Sequence, residues 1–388
     1  MSVLNKLSLR AKRAYSRIAP IDKSKIVFDN IAGKGYGENL KYIAEEIKKR
    51  DLKVKMYWLV SDMDTILPSW MNRIQIGTLR AEYELQTAGF VVYNYRRRWE
   101  FPKKKGQVFL QTWHGGIAMK KIEKDAEDKL PESYIKNAVL DGQLTDGIIA
   151  DGEQIEDIYK RAFWLNDNCE MLRFGSPRID VLLNSKNTNL IRKRVRGILQ
   201  IKDNAYVVLY APTFRNSGTA EAYVADLDAV KRAFSITRSE IVILVRLHPN
   251  VAKTSHNLKY DFSDTIINAT DYYDPQELII ASDACITDYS SIVYDFAMMG
   301  KPGFLCMKDL DAYIAERGMY DWFYDQPFNM NYDEESLCQD ISTFDYDEYK
   351  KKLDTFFEKY KTYNLGNAAA QTVDWLVERG LSEKRRKA

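Results

Sequence analysis

What most constrains this chain is a rhythm. Short apolar runs, each sized for one buried strand, alternate with stretches of helical period, and the series occurs twice. The first series runs from "KIVFDN" through the turn "IAGKGYGEN" and the helix "LKYIAEEIKKR" to "VKMYWLV", "FVVYN", "QVFLQTW" and "GIIADG", the last followed by the helical "EQIEDIYKRAF". After "RFGSPRIDVLLN" and the charged helix "NLIRKRVRGIL" comes the second series, "YVVLYAPTFR", "EIVILVRLHPN", "TIINAT", "ACITDYSS" and "PGFLCM", with the helices "DPQELIIAS" and "IVYDFAMMG" between its members. Strands apolar on both faces with helices between them predict parallel sheets covered on both sides. With 388 residues and 45% hydrophobic content there is material for two such cores. The expected architecture is α/β: two Rossmann-like domains facing a central cleft. Residues 21–185 form the first domain and 186–388 the second, which carries the two C-terminal helices "YDEYKKKLDTFFEKY" and "NAAAQTVDWLVERG".

Composition removes several function classes. Lysine plus arginine (57) nearly balances aspartate plus glutamate (55), so no nucleic-acid partner is expected. Cys169, Cys285, Cys306 and Cys338 show no metal-ligand spacing, which predicts neither a metal site nor a disulfide framework and fits a reducing cytoplasm. No window approaches the roughly 18–20 apolar residues of a membrane span, and the start lacks the apolar core of a signal peptide. Residues 1–20 instead read as an amphipathic helix. Leu4, Leu7, Ala11, Ala14, Tyr15 and Ile18 fall on one side and Lys6, Arg10, Arg13 and Arg17 on the other. That pattern suits an anionic membrane surface and equally a helix docked on the first domain.

In open α/β sheets, ligands bind outside the carboxyl ends of the strands. There "QTWHGG" delivers His114, "YAPTFR" Thr213 and Arg215, "RLHP" Arg246 and His248, and "ITDYSS" Asp288, Ser290 and Ser291. The "DYSSIVYDF" segment leaves a strand and opens a helix, whose unpaired amides suit a phosphate. Asp295, four residues past Ser291 on the same helix face, would accept from ribose hydroxyls. The alternatives are an N-cap for Asp288 and a solvated carboxylate for Asp295. Arg246 and His248 suit a diphosphate and a departing phosphate. His114 is one of three histidines, and an imidazole titrates near neutrality, so it can take a proton from an attacking hydroxyl. Gly115 and Gly116 would let a substrate approach the backbone, and Lys120 and Lys121 would face an anionic acceptor.

Three other stretches carry weaker signals. "GKGYG", with Gly33 and Gly35, lacks the dinucleotide and P-loop spacings and reads as a substrate-lining loop. "DMD", Asp62 to Asp64, reads as a turn before a metal-binding pair. "YRRRWEFPKKK", Tyr95 to Lys105, interleaves aromatic and basic residues and suits RNA, an anionic lipid or a phosphate polymer, with an ordinary solvated loop as the default.

In order along the chain, "GKGYGEN", "TWHGG" with "KKI", "YAPTFR", "RLHP" and "ITDYSSIVYDFAMMGKP" resemble the CDP-glycerol glycerophosphotransferase family, the primases and polymerases of teichoic acids and related capsule polymers. The resemblance covers nearly everything after about residue 25. It implies a GT-B fold and an enzyme moving glycerol phosphate from CDP-glycerol to a hydroxyl of a lipid-linked (polyprenyl diphosphate) or polyol-phosphate acceptor, with release of CMP. It also implies a peripheral position on the cytoplasmic face of the cell membrane; no cofactor is expected, and a need for magnesium is left open. On this resemblance His114 and His248 match the family's catalytic histidines, and "DYSS" with Asp295 matches the segment contacting phosphates and ribose. Gly116 stands where the family often has threonine, and "RGMYDWFYDQPF" departs from the family's pattern, so the donor polyol is open between glycerol and ribitol. A nucleotide-sugar glycosyltransferase and a non-catalytic module binding an anionic polymer are the other readings.

Overall fold

The computed structural model describes residues 15–381 except 100, 214, 216–221, 225 and 248–259. The chain forms two compact units. One consists of Met1–His114, Leu130–Asp180 and Tyr363–Ala388, the other of Gly115–Lys129 and Val181–Thr362.

The first unit is built on strands β1 (Asp22–Asp29), β2 (Lys55–Val60), β3 (Asn72–Gln75), β4 (Ala88–Tyr93), β5 (Val108–Gln111), β6 (Gly147–Ile149) and β7 (Glu170–Leu172). Their order is β3-β2-β1-β4-β5-β6-β7 with every pairing parallel. The central strand β4 is buried along its whole length, as a strand covered on both faces must be. On one face Phe28, Trp58, Phe90 and Val92 pack with Leu40, Ile43 and Ile47 of the Glu38–Lys49 helix. On the other, Val27, Val91, Tyr93 and Phe109 meet Ala81 and Leu85 of the Leu79–Thr87 helix and the Trp99 ring. The Glu38–Lys49 helix keeps its apolar residues on one stripe, with Glu38 in its first turn and Lys48 and Lys49 in its last, where each charge suits the helix dipole.

The second unit holds β8 (Tyr206–Tyr210), β9 (Ile241–Val245), β10 (Ile266–Asn268), β11 (Ala284–Thr287), β12 (Gly303–Cys306) and β13 (Met330–Asn331), in the order β10-β9-β8-β11-β12-β13, again all parallel. One face of this sheet packs on the Leu227–Phe234 and Glu334–Ser342 helices through Leu227, Val230, Phe234, Leu337 and Ile341. The other face carries Tyr349, Leu353, Phe356 and Tyr360 from the Tyr346–Tyr360 helix.

A single boundary near residue 185 does not describe this chain. Residues 115–129, expected in the first domain, belong to the second unit because Ile117 and Met119 are buried among Tyr289, Tyr313 and Phe323. The Ala368–Glu378 helix, expected in the second domain, belongs to the first unit, where Val373, Trp375 and Leu376 join the β1–β4 core. Asp180 accepts hydrogen bonds from Ala368 N (2.9 Å) and Ala369 N (2.8 Å), satisfying two of the amides that a helix start leaves unpaired. The Trp375 ring occupies the space a side chain at position 147 would need, since a Cβ on Gly147 would lie 2.8 Å from its Cζ2. A glycine therefore opens β6.

Of the N-terminal amphipathic helix, residues 1–14 lie outside the described residues. Its last turn docks on the first unit through Ser16 and Ala19: Gln86 Nε2 donates to Ser16 Oγ (2.9 Å), and Lys104 Nζ donates to the carbonyls of Ser16 (2.7 Å) and Ala19 (2.8 Å). Tyr15 and Ile18, from the apolar stripe, stay 57% and 81% exposed, so the docked side is not the apolar one.

Removing the indole of the terminal helix opens a cavity in the first unit. Trp375→Ala is expected to cost about 3–5 kcal/mol, read as a lower denaturant midpoint in equilibrium unfolding. A loss under about 1 kcal/mol would contradict its placement in that core.

Candidate active site

In the first sheet the strand order reverses at β1 and β4, and the loops after β1, β4 and β5 converge there. Asn94, just past β4, ties them together. Its Nδ2 donates to Asn30 Oδ1 (2.7 Å), its Oδ1 accepts from Ile31 N (2.8 Å), and its carbonyl meets His114 Nδ1 at 2.7 Å. A carbonyl only accepts, so this contact puts the proton on Nδ1 and the lone pair of the neutral ring on Nε2. The imidazole is exposed.

The turn that presents it is strained at a tryptophan. Trp113 has φ 51, a left-handed value that costs a non-glycine residue roughly 1–3 kcal/mol. Its N–H donates to Gln111 Oε1 (2.8 Å), and Asn39 Nδ2 reaches the carbonyls of Thr112 (3.1 Å) and Trp113 (3.3 Å). Its ring lies against Phe163 (4.9 Å between centroids), on which the buried Arg96 guanidinium stacks at 4.2 Å. Arg96 pairs with Asp141, which also accepts from Trp99 Nε1 (2.7 Å). Burial pushes the Asp141 carboxyl up to about 6, with Arg96 pulling the other way.

The glycine loop has its own reasons. Gly33 (φ 79) passes so close to the end of β2 that a Cβ there would lie 2.5 Å from Ser61 N, and its carbonyl takes the Ser61 N–H at 2.9 Å. The Gly35 carbonyl accepts from Trp58 Nε1 (3.0 Å).

In the second sheet the order reverses at β8 and β11, and Thr213, Arg215 and Asp288 meet there. Arg215 is 2% exposed and all five of its N–H groups are used: Nε goes to Asp309 (2.7 Å), Nη1 to the carbonyl (2.9 Å) and hydroxyl of Thr213, and Nη2 to Asp288 (2.8 Å) and Asp309 (3.1 Å). Burial disfavours its charge, but the bonds and charges of Asp309 and Asp288 more than restore it, so it stays firmly protonated. Asp288 also accepts from Thr213 N (2.9 Å) and Tyr289 N (2.6 Å). Tyr289 stacks on Tyr313 at 3.8 Å with Arg215 beside both rings.

Residues 12–378 match the family model described as CDP-Glycerol:Poly(glycerophosphate) glycerophosphotransferase. The chain belongs to this family. Among curated relatives, the teichoic acid poly(glycerol phosphate) polymerase of Staphylococcus epidermidis is 26% identical over 92% of this chain and 51% of its own length. The chain thus spans about half the length of the first such relatives it matches. The teichoic acid ribitol-phosphate primase of Bacillus spizizenii is 25% identical over 94% of each chain. Among solved structures, the wall teichoic acid polymerase TagF aligns with a TM-score of 0.83 and 25% identity over 97% of this chain and 95% of that one.

Within this glycerophosphotransferase-family chain the expected site residues separate. His114, Gly33 and Gly35 stand together at the β1–β4–β5 end, and His248 lies outside the described residues. Gly115 and Gly116 are not the strained members of their turn; Trp113 is. Thr213, Arg215 and Asp288, expected as ligands, bond to one another, with Arg215 and Asp288 buried, Thr213 half-buried and no Arg215 donor left for a phosphate. Asp288 is also no helix cap, since the Ile292–Met298 helix begins at Ser291 without a side-chain cap. Ser290 and Ser291 at that helix start are half-buried, as is Arg246 beyond β9. Asp295 is buried, not solvated, and Gln276 Nε2 lies 3.3 Å from its Oδ2. Lys120 donates to Tyr313 OH (3.2 Å), and Lys121 pairs through its backbone with Gly318.

The basic run Tyr95 to Lys105 is largely used internally. Arg96 pairs with Asp141, Arg97 with Asp29 and Lys103 with Asp146, while Lys104 holds carbonyls. Asp62 accepts from Asp64 N (2.9 Å), making "DMD" a turn. Asp309 gave no signal in the sequence, and Asn94, Gln276 and Asn39 were visible only as letters of "FVVYN", "DPQELIIAS" and "GKGYGEN", with no role attached.

If Arg215 is scaffold, removing it leaves Asp288 and Asp309 as uncompensated acids. Arg215→Ala is expected to destabilise the protein by about 3–5 kcal/mol, and Arg215→Lys, which cannot reproduce the planar fork, by part of that. A variant that melts like wild type while losing nucleotide affinity would reverse the assignment.

Proposed function

We propose that this protein is a glycerophosphotransferase that moves glycerol phosphate from CDP-glycerol to a hydroxyl of a lipid-linked or polyol-phosphate acceptor and releases CMP, in the synthesis of teichoic acid or a related capsule polymer. The observation that carries this reading is the His114 Nδ1–H bond to the Asn94 carbonyl, which leaves Nε2 as the basic nitrogen on an exposed ring. Membership in the family and the names of its relatives support the donor and the polymer.

In this reading Nε2 of His114 takes the proton of the acceptor hydroxyl as its oxygen attacks the β-phosphorus of CDP-glycerol, the one bearing glycerol. A bond forms between that oxygen and the phosphorus. The bond to the bridging oxygen breaks on the opposite side, and CMP leaves with the electron pair. His248, Arg246 and the Ser290–Ser291 helix start hold the diphosphate, and Asp295 takes the ribose. Thr213, Arg215 and Asp288 act one layer below, as the rigid floor of the nucleotide site. Lys120, Lys121, Gly115 and Gly116 line the path of the anionic acceptor.

The B. spizizenii relative, similar along nearly all of both chains, makes CDP-ribitol the second donor to test. We place the protein on the cytoplasmic face of the cell membrane, held by its amphipathic N-terminal segment. The outward Ile18 and Tyr15 support this, and no helix among the described residues is long and apolar enough to cross a membrane.

A general base contributes roughly 10²- to 10⁴-fold, so His114→Ala should lower kcat for acceptor-dependent CMP release by that factor with little change in CDP-glycerol affinity. Full activity in that variant would remove His114 from the mechanism. CMP release from CDP-ribitol but not CDP-glycerol would move the protein to the ribitol branch.

Asn39 bears on the same turn. Asn39→Asp preserves the acceptor for Arg178 N (3.1 Å) but loses both donor contacts to the strained carbonyls, so kcat should fall about tenfold or more at unchanged donor KM. An equal rise in KM with kcat intact would indicate a binding role instead.

A further inference from the structure

The last residue of β1, Asp29, is a buried acid to which the mechanism gives no role. It is 1% exposed and lies in register with Tyr93, the last residue of β4, at the point where the strand order reverses. Its Oδ2 is well supplied, accepting from Tyr95 OH (2.9 Å) and Arg97 Nε (2.8 Å). Its Oδ1 is equally buried and has no hydrogen-bond partner. A buried polar atom left unpaired is costly and calls for a partner, and the carboxyl end of a switch-point strand is where open α/β sheets bind ligands. The next residue, Asn30, joins Asn94, whose carbonyl holds His114, so the orphan oxygen belongs to the same loop cluster as the base.

The chemistry of the missing partner follows from the charges. Arg97 already neutralises the Asp29 carboxylate, so a cation added there would sit beside a guanidinium with no spare negative charge to balance it. A neutral donor is what the oxygen lacks, and a hydroxyl supplies one O–H without adding charge. Arg97, paired with Asp29 and stacked on Trp99 at 4.5 Å, holds the carboxylate in place, and the phosphate on the molecule carrying the hydroxyl comes from the glycerophosphotransferase reading.

We infer that Asp29 Oδ1 is an acceptor-binding group that takes a hydrogen bond from a hydroxyl of a polyol phosphate. This deepens the glycerophosphotransferase reading and rests on it for the acceptor's identity. Asp29 receives a hydroxyl here and holds no proton in the reaction. The proton passes to His114.

The test uses sn-glycerol 3-phosphate as probe, with inorganic phosphate as the hydroxyl-free control. Binding to the full chain is followed by saturation-transfer NMR, without donor present. Glycerol 3-phosphate should bind wild type and bind Asp29→Asn roughly 10- to 100-fold more weakly, the range for one hydrogen bond to a charged group, with phosphate affected little. Asp29→Glu keeps the charge opposite Arg97 should Asp29→Asn fold poorly, and it displaces the oxygen, so it should weaken the probe similarly. Equal binding by wild type and the folded variant, or no binding by wild type, overturns the inference. CMP release from CDP-glycerol is measured separately on wild type. A silent donor assay with Asp29-dependent glycerol 3-phosphate binding would defeat the transferase reading and leave the polyol-phosphate site standing, whereas active turnover with no effect of Asp29 on the probe would do the reverse.

Discussion

Parallel pairing is the constraint from which the rest of this protein follows. Two parallel strands cannot be joined by a tight turn, so each pair needs a crossover, and the crossover helices cover both faces of the sheet. Every ladder among the described strands is parallel, in both units. All carboxyl ends of a sheet therefore lie along one edge, and polar residues that end different strands, distant in sequence, become neighbours. His114 meets Asn94, and Arg215 meets Asp288, for this reason.

The two switch points are closed by different chemistry. In the first unit a pair of neutral amides, Asn30 and Asn94, fastens the loops after β1 and β4 and leaves an exposed imidazole on top. In the second, a buried guanidinium between two carboxylates does the fastening. Taking these charges out of water is expensive, and the cost is offset only because each N–H finds an oxygen. An arrangement that complete has little freedom to rearrange when substrate arrives. It makes this end of the second sheet a rigid base.

The architecture was legible where the physics is local. The ten strands that read as continuous apolar runs are all present, and both terminal helices begin and end close to their apolar stripes. The three strands that did not show, Asn72–Gln75, Glu170–Leu172 and Met330–Asn331, are two to four residues long and lie at sheet edges, where one neighbour suffices and no apolar run is required. The site was legible as a set of strand ends but not as a division of labour. That Arg215 is closed in by the carboxylates of Asp288 and Asp309, 73 and 94 residues away, is not visible in the sequence around it. Strain escaped the sequence for a related reason. Glycines advertise unusual backbone, yet the turn before His114 bends at Trp113, held there by Asn39 from 74 residues upstream.

The helix that returns to the first unit has a consequence for how the protein is made. A ribosome delivers residues 22–172, with all seven strands of the first sheet, long before residues 368–378, which supply Val373, Trp375 and Leu376 to its core. The second unit, whose last residues precede Tyr363, has its full complement of chain while the first is still waiting. During synthesis the β1–β4 face beneath that helix is bare, and the order in which the two units become complete is the reverse of the order in which they begin.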